Sequence, residues 1–155
     1  MARLTIIAIV LLSASSFARA QDDDARAKTL AQDILDRGSA LFDGRDAAAM
    51  AATYVEMGQI LLIKGATDQG SIEVETISGR PAIEKGYADL FKDRLPEHKS
   101  RNTVESARFL GDNTLLIEGR FALNRDQGDS IRFIQLRVRQ GDQWKIVTLQ
   151  MMPIP

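Results

Sequence analysis

An α+β domain is what this chain predicts, with helices in its first half and an antiparallel meander at its end. Two observations carry that expectation. From Ala25 onward, apolar residues recur at helical spacing, at Leu30, Ala31, Ile34, Leu35, Leu41 and Phe42. Near the other end, Thr114–Leu123, Ile131–Arg139 and Trp144–Met151 are rich in Ile, Val, Leu and Phe, and the stretches between them carry Gly and Asp. That is the pattern of successive hairpins. With 155 residues, the chain suits one domain with a real core.

The first 20 residues stand apart. Arg3 precedes the apolar run Leu4–Leu12, too short for the roughly 20 residues of a membrane span. Ala18-Arg19-Ala20 then offers an A-x-A cleavage site. Residues 1–20 therefore read as a secretory signal cut between Ala20 and Gln21. An uncleaved anchor is the competing reading, and a lipid-modified product would need a cysteine that the chain lacks. The expected product is residues 21–155, soluble and periplasmic or secreted, with no membrane attachment after cleavage.

In order, Asp22-Asp23-Asp24 complements the positive end of the first helix. Gly38 lies on that helix's apolar stripe, where it costs about 1 kcal/mol against Ala and hints at close packing or room left open. Gly44 ends the helix. Asp46 caps a second one, Ala47–Tyr54. Gly58 releases the chain into a short buried strand, Gln59–Ile63, which Ile72–Ile77 joins as a hairpin. Pro81 opens a third helix at its first position, where no amide donor is needed. Ile83, Gly86, Tyr87, Leu90 and Phe91 form its buried stripe, and Leu95-Pro96 stops it. A polar strand, Lys99–Phe109, leads into the meander.

Composition excludes several functions. Twenty Lys and Arg against 21 Asp and Glu leave no basic excess for nucleic acid. With no cysteine and one histidine, thiolate sites, most zinc sites and a histidine triad lack their ligands. No metal and no cofactor is expected. His98 reads as a surface residue, and Arg132, Arg137 and Arg139 are too interspersed with apolar neighbours to form a nucleic-acid patch.

Gly44-Arg45-Asp46, Tyr54-Val55-Glu56, Ser78-Gly79-Arg80-Pro81-Ala82-Ile83, Gly119 and Gly141-Asp142-Gln143-Trp144-Lys145-Ile146 occur in an order and spacing that resemble the NTF2-like superfamily. This includes its SnoaL-like and ketosteroid-isomerase-like members. The resemblance runs from about Leu30 to the C-terminus. It implies three helices packed on a curved, mostly antiparallel sheet that forms a cone around one pocket, often with a dimer on the outer sheet face.

Turn lengths then predict the register. A two-residue Gly141-Asp142 loop pairs Arg139 with Trp144 and Gln135 with Thr148, and a symmetric turn before it pairs Glu118 with Gln135. Cross-strand partners share a face. One face would hold Glu118, Arg120, Gln135, Trp144, Thr148 and Gln150. The other would hold Leu115, Ile117, Ile134, Leu136, Val147 and Leu149. By resemblance the mixed face lines the cone, with pocket groups at Gln135, Thr148 and Gln150, and the apolar face packs against a second copy, as an exposed face that apolar needs a partner.

The family's isomerase set falls near Gly38, Leu62 and Gln135 and is replaced. Glu118 and Arg120 form either a base oriented by a guanidinium or an ion pair at the sheet rim. Tyr54 is a hydroxyl donor or core. Trp144 is a packing anchor or a stacking surface. Three functions follow. The first is a homodimeric module binding a small, partly apolar molecule among Tyr54, Gln135, Trp144, Thr148 and Gln150. The second is a cofactor-independent isomerase, dehydratase or hydrolase using Glu118 with Arg120 or Tyr54. The third is an interaction domain with a filled cone.

Overall fold

The computed structural model describes residues 5–66, 71–124 and 130–153, with side chains for 21–65, 71–124 and 130–152. Helix α1 spans Thr5–Asp43 and α2 spans Ala47–Ala52. Strands β1 (Tyr54–Ala66) and β2 (Ile72–Ser78) follow, then α3 (Arg80–Lys92). Strands β3 (Arg101–Gly111), β4 (Thr114–Ala122), β5 (Ile131–Gln140) and β6 (Gln143–Pro153) complete one sheet of order β2-β1-β6-β5-β4-β3. Every neighbouring pair is antiparallel except β1 with β6. The α+β architecture of helices on a curved sheet is as expected.

The apolar stripe of α1 does what its spacing requires. Ala27, Ala31, Ile34, Leu35 and Phe42 are buried, whereas Leu41 is partly exposed. This helix covers β3, an edge strand whose unpaired peptide groups would otherwise invite another chain. Gln32 acts there as a substitute peptide: Nε2 donates to the Asn102 carbonyl at 3.2 Å, and Oε1 accepts from Val104 N at 3.1 Å. Asn102 returns the contact by donating to Ser39 Oγ at 2.8 Å. At the end of α1, Asp43 pairs with the buried Arg94 at 2.9 Å and accepts from Ser100 N. Arg94 also donates to the carbonyls of Leu123 and His98, so one buried guanidinium ties the chain after α3 to the core.

Several boundaries move. Asp46 caps α2 by accepting from Ala49 N, as expected, but the helix stops at Ala52. Thr53 closes it by donating its amide and hydroxyl to Met50, and Ile146 N then binds the Thr53 carbonyl, drawing Tyr54 into the sheet. Strand β1 is therefore far longer than Gln59–Ile63. Gly58 does not end one element to start another; a Cβ there would lie 3.0 Å from Tyr54 Cβ, so its bareness makes room for that side chain. Pro81 sits second in α3, after Arg80, and the helix ends at Lys92 rather than Leu95. Leu90 is exposed, unlike the rest of the expected stripe.

The meander register corrects the predicted faces. Gln135 pairs with Ile117 and not Glu118, which pairs with Ile134. The turn assumed to be symmetric includes residues 125–129, outside the described residues. Arg139 does pair with Trp144, but Leu136 faces Thr148 while Arg137 faces Ile146, so Val147 is an extra residue in β6. This β-bulge reverses the alternation beyond it. Leu115, Ile117 and Leu149, expected at a subunit contact, are buried inside the single chain. The inner face is thus Leu115, Ile117 and Gly119 of β4, Phe133, Gln135 and Arg137 of β5, and Ile146 and Leu149 of β6.

Candidate functional site

The helices and the inner sheet face enclose a cavity of about 680 Å³. Its walls are largely apolar, with Ile34 and Leu35 from α1, Met50 from α2, Phe133 from β5, and Leu149 and Met151 from β6. Gly38 also lines it, and a Cβ added there would meet nothing within 4 Å. Of the two reasons entertained for this glycine, open room is the one observed. Gly119 serves the opposite purpose on the sheet. A Cβ there would collide with the Thr103 carbonyl and lie 2.9 Å from the Phe133 ring, so its absence lets the Phe133 ring approach β4 closely.

Among the polar side chains that line the cavity, four from three elements form its centre. Tyr54 of β1, fully buried, and Tyr87 of α3 share a hydroxyl–hydroxyl hydrogen bond of 3.0 Å. Gln135 and Arg137 stand two apart on β5, which sends both inward, and both are buried. The Arg137 guanidinium donates from Nε to Gln135 Oε1 at 2.8 Å and from Nη1 to the Trp144 carbonyl at 3.0 Å. Among the described residues, no carboxylate lies within ion-pair distance of it.

Burial sets the electrostatics. It pushes the Tyr54 phenol well above its ordinary pKa, with Tyr87 adding to the shift and the Arg137 charge opposing it. Tyr87 is raised as well, chiefly by burial. Desolvation brings Arg137 down to about 10, countered by the two tyrosines. At neutral pH the cavity therefore holds neutral phenols beside a protonated guanidinium. Exposed Arg37 and Asp142 stand where the cavity meets solvent, and Lys145 at its edge donates to the Ala52 carbonyl at 2.6 Å. No group of three or more His, Cys, Asp or Glu arranged to hold a metal occurs among the described residues.

No protein-family model matches the chain, and no curated protein does. Solved structures do. A protein with a cystatin-like fold from Nostoc punctiforme superposes with a TM-score of 0.61 at 12% identity, over 84% of this chain and 78% of its own. An NTF2-like protein from Novosphingobium aromaticivorans covers 99% of this chain and 92% of its own, at a TM-score of 0.57 and 16% identity. An NTF-2 like protein of unknown function from Shewanella oneidensis matches with a TM-score of 0.57 at 19% identity, over 77% and 93% of the two chains. This chain has the NTF2-like fold. At such identities the likeness concerns the fold alone, and function must be argued from the site.

Within the NTF2-like cone, the residues expected at the site divide. Tyr54, Gln135 and Trp144 line the cavity. Glu118, Arg120, Thr148 and Gln150 do not, because the register and the Val147 bulge place them on the outer face. Arg120 pairs there with Glu105 at 2.5 Å, and Arg132 reaches the same carboxylate at 3.5 Å. Arg120 holds the exposed Glu105 carboxyl below its usual pKa. Pairs this exposed contribute little stability. Among the cavity residues outside the predicted site, Tyr87 and Arg137 matter most for its chemistry. Arg137 had a signal: a cation two residues from Gln135, inside an alternating strand, shares whichever face Gln135 takes.

Proposed function

We propose that this protein is an exported binding module whose NTF2-like cone takes up a small, partly apolar molecule. The supporting observation is the cavity itself. About 680 Å³ lies within the range typical of small-molecule sites, and apolar walls with a few convergent polar groups are their usual makeup. A cone filled by its own side chains would leave no such space. The catalytic alternative built on Glu118 and Arg120 draws no support from the geometry, since neither residue lines the cavity.

The protein is further proposed to be a homodimer. Of the contact that the sequence predicts, Leu115, Ile117 and Leu149 are buried within one chain; Leu116, Ile134, Leu136 and Val147 lie on the outer face, each half-buried. Export rests on the sequence of residues 1–20.

Native mass spectrometry of protein recovered from its host tests these points together. The expected spectrum is a dimer, beginning at Gln21, that carries added small-molecule mass lost on collisional activation. Ligand-free protein that also fails to take up any small amphiphile on titration would sink the binding reading.

A further inference from the structure

Resting on the reading of the cone as a binding cavity, we infer that its ligand is a monocarboxylate with an apolar body, its carboxylate seated on the Arg137 guanidinium. A charge this buried is ordinarily paired with an opposite one. Arg137 is 5% exposed, and its hydrogen-bond partners are neutral: the Gln135 side chain and the Trp144 carbonyl. Those two contacts fix the plane of the guanidinium through Nε and Nη1. No acceptor meets Nη2 among the described residues. A planar donor fork held in place, with open donors beside a cavity, fits a carboxylate or a phosphate group, and the neutral surroundings favour the singly charged one.

The neighbours agree. In the Tyr54–Tyr87 pair one hydroxyl donates to the other, so the second keeps a proton that this contact does not use. Burial keeps both phenols protonated, and so able to donate and unable to repel an anion. The remaining walls are largely apolar, Ile34, Leu35, Phe133 and Leu149 among them; Asn102 and Thr53 are neutral and already donate to Ser39 Oγ and the Met50 carbonyl. One charge is matched and a second is not. The other cations of the lining are Arg37, which is exposed, and Lys145, which is engaged with Ala52. A phosphate dianion or dicarboxylate would have to leave charge against hydrocarbon.

The test uses the purified full-length protein and the fluorescence of Trp144, the sole tryptophan, which lines the cavity. Octanoate and octan-1-ol, equal in chain length, are titrated into wild type and Arg137→Met. Octanoate is expected to bind wild type tenfold or more tighter than the alcohol, the scale of a charge-assisted contact. Arg137→Met is expected to erase that preference while still binding octan-1-ol. Equal binding of the two by wild type, or an unchanged preference in the variant, overturns the inference and leaves the cavity reading intact. Failure of wild type to bind either ligand removes both.

Should Arg137→Met not fold, wild type alone decides through pH. Octanoate affinity is expected to fall as pH drops through the ligand's own carboxyl pKa. Constant or rising affinity overturns the inference. The other ionisable groups of the lining are Arg37, Tyr54, Tyr87, Asp142 and Lys145. Arg137 and the two phenols hold their protons throughout that range, and Asp142→Asn run in parallel isolates the one carboxylate.

Discussion

The chain's two tyrosines, Tyr54 and Tyr87, are hydrogen-bonded to each other beside the cavity, which makes tyrosine ionisation a clean reporter of that site. Both folded-state pKa values lie above the unfolded value of about 10. A group so raised contributes stability that is full below the unfolded pKa and is lost as pH rises toward the folded one. Alkaline titration is therefore expected to show no tyrosinate absorbance until the protein unfolds, and then both tyrosines at once. Gradual ionisation near pH 10 with circular dichroism unchanged would contradict this burial. At this scale the sequence was half legible. Tyr54, Gln135 and Trp144 stand out by type and place, and each lines the cavity. Glu118 and Arg120 drew attention as a charged pair two apart, but Arg120 turns instead to Glu105. That carboxylate comes from a neighbouring strand, which no local spacing reveals.

Elements were easier to read than the way they fit together. The apolar stripe of α1, the Asp46 cap and the hairpin tips each leave a local mark, so the helices and meander strands are found where propensity puts them, although the helix ends shift: α1 begins at Thr5 and α2 and α3 stop early. Register has no such mark. Val147 is an ordinary strand residue between Ile146 and Thr148, and nothing about its type announces an extra residue; Glu105, unpaired between Val104 and Ser106, does the same on β3. With period-two alternation, each such residue inverts everything after it. Gly119 is the opposite case, a residue whose type does expose its context. Gly119→Ala forces a Cβ against the Thr103 carbonyl, a backbone atom that cannot swing aside. Destabilisation of about 1–3 kcal/mol is expected, read as a lowered midpoint in urea. An unchanged midpoint would mean that β3 and β4 separate freely at this point.

For the molecule as a whole, the sheet has two faces of unequal standing. The inner one closes the cavity, and the outer one carries Leu116, Ile134, Leu136 and Val147 only half-covered. Leu136→Lys, on that outer face, is expected to shift the native mass spectrum from dimer to monomer while leaving bound ligand in place. Wild type that is already monomeric would dispose of the dimer. The same division gives Val147 an unusual position. As the extra residue, it lets Ile146 and Leu149, three apart, both face the cavity. Deleting it would leave Leu136 opposite Thr148 and Gln135 opposite Leu149 in simple alternation. The deletion variant is therefore expected to keep its apolar lining and its ligand, as circular dichroism and Trp144 fluorescence would show, and loss of binding with the fold retained would contradict this register. With Val147 present but paired without a bulge, Thr148 and Gln150 would instead turn inward and Leu149 and Met151 outward. One sequence thus holds two chemistries of the same cone, one greasy and one hydrogen-bonding, and a single slipped pairing in β6 separates them.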